Sequence, residues 1–380
     1  MGWLGHFNAG DDLLFYEIEK MITSTSLHLN PPIAVSLHPL YVANPCEQLL
    51  VDMSQYDFII LGGGSILTQD EYACQLNQAV SLNLPIFVGG SGWDPRTPIK
   101  NGDILDLDYD IWRDRFARAG EFGWGGVRGP MTFLPLHHYF PNTKLDIIGD
   151  AGMLVNPDDY QIRPTFIPDE LSQYIAVGYG VNVGNSIYHQ NKDGALDQAI
   201  FSFVLHEIIQ NGRNIVLYAM DGPSLQVIDN LFKSVSMTLA QKKDDDGHLS
   251  IHEGHIHIIP HVLDAGSSCR LFYHATATVN YKLHGSIMSG GVGTPFVAMA
   301  YHFKHWDFAA DYEQNLDELT INTDAVEKNW KILSRALATI LEPTRYSELK
   351  ELFQIGRQRT RLRWKKAVTE FIAELVNRKQ

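Results

Sequence analysis

The stretch Asp57-Phe58-Ile59-Ile60-Leu61-Gly62-Gly63-Gly64 decides the fold class, because it is a short apolar run that ends in three glycines. Similar apolar runs lie at residues 33–37 and 84–88, and the second of these also ends in a glycine pair. Between the runs at 57–61 and 84–88, residues 66–82 have the composition of a helix. Near-continuous apolar strands separated by helices are typical of a parallel sheet that is covered on both faces. The sequence therefore predicts an α/β fold.

The same alternation continues along the chain and restarts after a Pro-rich stretch. In the first half we expect further helices at residues 106–119 and 130–139, and a closing apolar run at 145–150. In the second half we expect strands at 174–179, 214–218, 276–279 and 295–299, and helices at 194–210, 225–239 and 283–290. The predicted organisation is a Rossmann-like domain at 1–155, a linker at 156–172, a second Rossmann-like domain at 173–322 and a helical tail at 323–380. Two doubly wound halves of this kind face a cleft.

Composition narrows the class of function. The 380 residues carry a formal net charge of -14, and a pI near 5.5 argues against a protein that binds nucleic acid over its whole surface. Three scattered cysteines (Cys46, Cys74 and Cys269) fit a reducing compartment better than a disulfide framework. We find no pattern of a signal peptide and no run of about 18 apolar residues, and therefore expect a cytoplasmic protein.

Two motifs suggest ligands that the rest of the sequence does not support. Gly178 to Gly184 resembles a dinucleotide fingerprint, but its glycine spacing is one residue too long and Asp193 arrives too early to bind the ribose. His255 and His257 share one face of a strand next to His252, yet no third ligand or supporting group can be identified. We therefore expect neither a nicotinamide site nor a metal site.

A third constellation is more informative. Lys282 and His284 lie between an apolar strand and a helix, and Lys304 follows the next strand. Two cations and an imidazole beside a helix N-terminus form a site for phosphate or carboxylate. Arg128, which precedes a predicted helix, and Asp150, which ends an apolar run, also have ordinary explanations as a surface ion pair and a turn cap.

This constellation, together with earlier segments in the same order, resembles the polysaccharide pyruvyltransferase family. The C-terminal signature is matched by a basic-Leu-His triplet, a Gly-X-Pro segment, a strand and Tyr-X-X-Lys. The segments that carry the resemblance are Asn8-Ala9-Gly10-Asp11-Asp12, 57–66, Val127-Arg128-Gly129-Pro130-Met131-Thr132, Gly149-Asp150-Ala151, 282–286 and 290–304. The sequence departs from the family pattern at Lys282, where arginine is common, and at Gly129, where aspartate is usual.

The resemblance implies a glycosyltransferase-B-like fold and an enzyme that moves the enolpyruvyl group of phosphoenolpyruvate onto a sugar as a ketal, with release of phosphate. It implies a role in exopolysaccharide biosynthesis, with a sugar or lipid-linked glycan as acceptor on the N-terminal side and no cofactor or metal. The catalytic residues would be His284, Asp11 and Asp150. The donor-binding residues would be Lys282, His284, Lys304, Arg128, Gly62, Gly63 and Gly64.

Two alternatives remain open at this point. The first is a nucleotide-sugar-dependent glycosyltransferase of the same two-domain shape, with a diphosphate on the Gly-rich loops. The second is a non-catalytic sugar-binding relative, which the substitutions at Lys282 and Gly129 favour. Trp93, Trp124 and Trp306 are candidates for a sugar-stacking platform, although aromatic residues are more often part of a core.

The charge is unevenly distributed. Residues 344–380 hold ten basic and four acidic residues, so a basic helical tail follows an acidic body. We expect this helix to dock on the acidic first domain. The alternative is peripheral association with anionic lipid at the inner face of the membrane, where a lipid-linked acceptor would be presented. The sequence does not indicate an oligomeric state.

Overall fold

The computed structural model describes residues 9–29, 32–38, 52–64, 67, 70–92, 123–139, 141–180, 194–241, 255–312 and 318–379. Several predicted features lie outside these ranges: Asn8, Ser65, Ile66, Trp93, the helix at 106–119, Val181 to Asp193, and His252.

The first half contains a four-stranded parallel sheet in the order β1-β2-β3-β4. Its strands are β1 (Ile59–Leu61), β2 (Ile86–Ser91), β3 (Trp124–Val127) and β4 (Asp146–Ile147). Its helices are α1 (Ala9–Leu27), α2 (Asp70–Ser81) and α3 (Pro130–Tyr139). The predicted strand at 33–37 is wrong: residues 32–38 have an irregular backbone and alternate between exposed and partly buried side chains.

The second half contains a six-stranded parallel sheet in the order β10-β9-β8-β5-β6-β7. Its strands are β5 (Ile175–Gly178), β6 (Ile215–Tyr218), β7 (Ile256–Ile258), β8 (Ala277–Asn280), β9 (Phe296–Ala300) and β10 (Thr320–Asn322). Its helices are α4 (Ala195–Ile209), α5 (Gly222–Gln241), α6 (Ala265–His274), α7 (Leu283–Val292) and α8 (Phe303–Ala310). Strands β5, β6, β8 and β9 are buried along their whole length, as their continuous apolar sequences require.

The Pro-rich stretch between the two sheets packs against the second one. It contains a 3-10 turn at Pro157–Tyr160, and Ile167 and Leu171 are buried in the core that covers β5 and β6. Arg163 Nη2 donates to the backbone oxygens of Pro168 and Leu171, both at 3.1 Å. This segment is therefore part of the second half's packing, while the exact domain boundaries remain predictions.

The chain ends in three helices, α9 (Thr323–Lys328), α10 (Lys331–Leu341) and α11 (Pro343–Lys379). The last of these contacts both halves. Phe353 stacks on Phe296 of β9 with ring centroids 5.2 Å apart, whereas Trp364, which is fully buried, packs against Phe87 of β2 at 5.9 Å. Burial of such large aromatic side chains contributes most of the stabilisation that a long, highly charged helix needs.

The basic residues of α11 bind groups of the protein itself. Arg357 donates to Gly291 O at 2.8 Å, Arg361 donates to Leu154 O at 3.0 Å, and Arg363 pairs with Asp311 at 2.7 Å. These three arginines thus anchor α11 to both halves of the molecule. Among the helices in the described ranges, none combines the length and the hydrophobicity needed to cross a bilayer. Association of α11 with a membrane surface remains a prediction.

The predicted α/β class, with two parallel sheets and a C-terminal helical tail, is confirmed.

Candidate active site at the seam between the sheets

The N-termini of two helices meet where the halves of the molecule touch. Gly10 lies in the first turn of α1, and a Cβ atom at this position would come within 2.0 Å of His284 Nδ1, in the first turn of α7. Gly152 is similarly close to Ile287 of α7. We call this contact zone the seam. In open α/β sheets ligands bind outside the carboxyl ends of the strands, and the residues that follow β3, β4, β8 and β9 all lie at or near the seam.

This close approach yields a prediction about Gly10. Gly10→Ala should destabilise the protein by about 1–3 kcal/mol, because the added methyl group overlaps the His284 side chain and forces the seam apart. Gly222→Ala, in the first turn of α5, is the matched control, since a Cβ atom there meets nothing within 4 Å. Urea unfolding of both variants measures the difference. An equal effect at the two positions would show that α1 and α7 are not in contact.

Arg128 and Asp150 form a buried ion pair on the first-half side of the seam. Arg128 Nε donates to Asp150 Oδ2 at 2.8 Å, and the two side chains are 1% and 0% exposed. Asp150 Oδ1 accepts from Gly152 N at 2.9 Å, which caps the turn that follows β4. Both carboxylate oxygens of Asp150 are therefore already engaged. Its assignment as a catalytic base remains a prediction, and the geometry gives it the task of orienting Arg128.

Asp11 has the most perturbed environment of the predicted acidic residues. Although part of its side chain is accessible, burial raises the pKa of Asp11 to about 7, and the neighbouring charges of Asp12 and Asp150 also raise it. Lys304 and Arg128 oppose this shift. A carboxyl group that titrates near neutral pH is suited to act as a general acid or base.

His284 carries no charge in this environment. Burial holds its pKa well below the usual range, and the positive charges of Lys304, Arg128 and Lys282 lower it further. The imidazole of His284, predicted to bind the donor, is therefore neutral. A bound anion would offset the three cations and raise the pKa of His284, so that donation of a proton by His284 would require that anion.

The two predicted lysines flank one tyrosine. Lys282 Nζ lies 5.9 Å and Lys304 Nζ 5.6 Å from the ring centroid of Tyr301, which itself stacks on Tyr281 at 4.4 Å. Lys282 also pairs with Asp221 at 3.0 Å, and Asp221 accepts from Ser224 N at the start of α5. The ammonium groups are thus held at the carboxyl edge of the second sheet by aromatic faces and a carboxylate.

Gly62, Gly63 and Gly64 follow β1, as predicted, and they pack against neighbouring backbone and side chains. A Cβ atom at Gly63 would lie 2.7 Å from Leu14 of α1, and Gly64 adopts a φ of 90° that favours glycine. Gly92 N donates to Gly64 O at 2.7 Å. Close packing already explains these glycines, and their role in donor binding remains a prediction.

Other candidates lie away from the seam or in the core. Trp124 packs against Phe371 with centroids 5.9 Å apart, and the Arg378 guanidinium lies 5.1 Å above its ring. Trp124 is therefore part of the contact with α11. His257 Nε2 donates to Phe166 O at 3.1 Å. Among the described residues, no group of His, Cys, Asp and Glu side chains could hold a metal ion.

Sequence reasoning missed Asp307, which ties the two halves together at the seam. Its Oδ1 accepts from Thr132 N at 3.0 Å and its Oδ2 from Thr132 Oγ1 at 2.6 Å, so a residue of α8 caps helix α3 of the other half. A Cβ atom at Gly129 would come within 2.1 Å of Asp307 O, which explains why glycine follows Arg128 here.

No model of a known protein family and no curated protein matches the sequence. Solved structures show a distant likeness. UDP-GlcNAc 2-epimerase from Methanocaldococcus jannaschii has 10% identity and a TM-score of 0.44, covering 86% of this chain and 76% of that one. The trehalose-6-phosphate synthase OtsA has 12% identity and a TM-score of 0.44 over 80% and 76%. The UDP-forming α,α-trehalose-phosphate synthase from Burkholderia vietnamiensis has 12% identity and a TM-score of 0.46 over 81% and 70%.

These values limit the likeness to the outline of the fold. The similar proteins are named for enzymes that act on sugars and, in two cases, for UDP chemistry, and none of the three is a pyruvyltransferase. The comparisons contradict the main prediction, phosphoenolpyruvate-dependent pyruvyl transfer. Two of the cations expected to bind phosphoenolpyruvate, Lys282 and Arg128, are paired with Asp221 and Asp150.

Proposed function

We propose that the chain is an enzyme that transfers a sugar from a nucleotide-sugar donor to a hydroxyl group of a second substrate, at the seam between its two sheets. The observation that carries this proposal is the position of Asp11. It lies at the N-terminus of α1, opposite the N-terminus of α7, in the electrostatic field of Lys304 and Arg128.

The second half supplies the features that a diphosphate needs. Helix α7 begins at Leu283, directly after the carboxyl end of β8, and its N-terminus carries a partial positive charge. Lys282 precedes the helix, and the ammonium groups of Lys282 and Lys304 both lie within 6 Å of the Tyr301 ring centroid. A helix N-terminus with ammonium groups beside it stabilises the charge that develops on a departing nucleoside diphosphate.

The first half supplies a base for the acceptor. A sugar hydroxyl becomes a better nucleophile when a carboxylate removes its proton during transfer. Asp11, with a pKa of about 7, is ionised in a useful fraction at neutral pH and still holds a proton well enough to accept one. His284 is neutral beside it and can accept or donate a hydrogen bond without adding charge.

Thermal unfolding with ligands tests the donor class. UDP-glucose or UDP-GlcNAc should stabilise the protein by about 2.7 kcal/mol when its concentration is 100 times its Kd, whereas phosphoenolpyruvate serves as a comparator anion. Lys304→Ala should remove most of this effect, and Lys366→Ala, at an exposed position of α11, should retain it. Release of UDP in the presence of sugar alcohols and glycosides then reports transfer.

Two outcomes would contradict the proposal. The absence of any stabilisation by millimolar nucleotide sugars would exclude this donor class. Equal stabilisation of the Lys304→Ala and Lys366→Ala variants would place the donor away from the seam.

A further inference from the structure

Arg128 has donors that the protein leaves unused. Its side chain is 1% exposed, and only Nε has a partner, Asp150 Oδ2 at 2.8 Å. Within the described structure Nη1 and Nη2 are both buried and make no hydrogen bond. Buried polar groups are paired in nearly all native proteins, and an unpaired charged donor is especially costly. Two such donors on one guanidinium group indicate that an acceptor from outside the chain belongs there.

The orientation of the guanidinium group is fixed by its surroundings. Asp150 is held by Gly152 N, so the Nε edge of Arg128 has one position and the Nη end points away from Asp150. The Nη1 atom lies where residue 92 has no side chain: a Cβ atom at Gly92 would come within 2.6 Å of it. The space occupied by Arg128 Nη1 therefore requires a glycine just after the carboxyl end of β2.

The surroundings favour an anion over a water molecule. Lys304, Arg128 and Lys282 all lower the pKa of His284, so three cations act on one point of the seam. An arginine fork with two parallel N–H groups matches the geometry of a carboxylate or a phosphate. A negatively charged acceptor accepts from both unpaired N–H groups of Arg128 and interacts favourably with its guanidinium charge.

The position of Arg128 indicates which substrate carries that charge. The features assigned to the donor diphosphate, Lys282, Lys304 and the N-terminus of α7, all belong to the second half. Arg128 belongs to the first half, on the same side of the seam as Asp11. We propose that Arg128 Nη1 and Nη2 bind a phosphate or carboxylate group of the second substrate, so that the acceptor is a phosphorylated or acidic sugar. This inference rests on the proposed function for the identity of the other substrate.

Calorimetric titration of the full-length protein, without nucleotide, shows whether the bound group is a phosphate or a carboxylate. The probes are a hexose 6-phosphate, a hexuronate and the neutral hexose. We expect one of the two anionic sugars to bind at least tenfold more tightly than the neutral hexose. Arg128→Gln should remove that preference, while Arg128→Lys, which keeps the charge without the fork, should retain part of it. Arg335→Gln, at an exposed position of α10, is the matched control.

The outcomes distinguish this inference from the proposed function. If the wild-type protein binds neutral and anionic sugars equally, the inference is overturned, whatever the nucleotide data show. If Arg128→Gln folds and keeps the preference, the anion binds elsewhere and the inference is also overturned. If Arg128→Gln does not fold, Arg128→Lys serves as the test. A weaker preference for the anionic sugar in Arg128→Lys than in the wild type supports the inference, and an unchanged preference overturns it. Failure of UDP binding with intact anion preference would overturn the proposed function alone.

Discussion

The Asp11→Asn variant should unfold at a higher temperature than the wild type at pH 8, and the difference should shrink as the pH falls toward 4. The reason is the raised pKa of Asp11. In the folded protein, burial raises the pKa of Asp11 to about 7, whereas the ordinary pKa of an aspartate side chain is 3.8. Between these two values the folded state holds a proton that the unfolded state has released, so the Asp11 contribution to stability falls as the pH rises. Above pH 7 both states are ionised and the loss is complete.

Asparagine has no ionisation of its own and therefore removes this pH dependence. We expect the melting temperature of Asp11→Asn to exceed that of the wild type by about 2–4 °C at pH 8, which corresponds to roughly 1 kcal/mol for a domain of 150–250 residues. Melting curves at half-unit intervals from pH 4 to pH 8.5 measure the difference. Asp12→Asn, in the same turn of α1, controls for the loss of a negative charge at a helix N-terminus. A temperature difference that does not change with pH would contradict the burial of Asp11.

Loss of the Asp11 carboxylate should also slow turnover. If Asp11 removes the proton of the acceptor hydroxyl, turnover should rise with pH around a midpoint near 7, and Asp11→Asn should be slower by about 10²–10⁴-fold. Nucleotide-sugar affinity should change little, because Asp11 lies on the acceptor side of the seam. A gain in stability together with a loss of activity is the usual signature of a functional group held in an unfavourable environment. Full turnover by Asp11→Asn would remove Asp11 from the mechanism.

The sequence predicts those elements whose residues match one simple pattern. Strands β5, β6, β8 and β9 of the second half are predicted because they are buried on both faces and thus rich in apolar residues. Strands β7 and β10, at the two edges of this sheet, are only partly buried, and the apolar pattern does not predict them. Strand β3 was missed because two of its four residues are Gly125 and Gly126. These glycines are required by packing rather than by a turn: Gly125 has a φ of 91°, and a Cβ atom at Gly126 would come within 2.0 Å of Asp146 O of β4. A pattern of hydrophobicity carries no information about such contacts.

The sequence predicts which residues lie at the candidate site, but it does not predict which of them form ion pairs. Arg128 follows β3 of the first sheet, and Lys282 and Lys304 follow β8 and β9 of the second, so each lies at the carboxyl edge of its sheet. Their neutralising partners, Asp150 and Asp221, belong to the ends of other strands, and the pairs form only when strand order and register are known. The sequence therefore names the cations of the site but not their pairing with Asp150 and Asp221.

Removal of the Asp150 carboxylate should have the largest effect on stability. Asp150→Ala leaves the buried Arg128 guanidinium without its counter-charge, and we expect a loss of about 3–5 kcal/mol in the free energy of unfolding. The exposed pair of Lys233 with Asp229 on α5 is the matched control, and Asp229→Ala should cost less than about 1 kcal/mol. Urea unfolding of both variants gives the comparison. Losses of similar size would mean that the Arg128 pair is accessible to solvent.

A second pair of variants separates the charge of Asp150 from its capping role. Asp150→Asn removes the charge but keeps a side-chain oxygen for Gly152 N, so it should be less destabilising than Asp150→Ala by about 1 kcal/mol. Combining Asp150→Asn with Arg128→Met should recover much of the remaining loss, because the buried charge is then gone from both partners. In the resulting double-mutant cycle, we expect a coupling energy of about 1–3 kcal/mol. Simple additivity would contradict the ion pair, and with it the fixed orientation of Arg128 on which binding of an anionic acceptor depends.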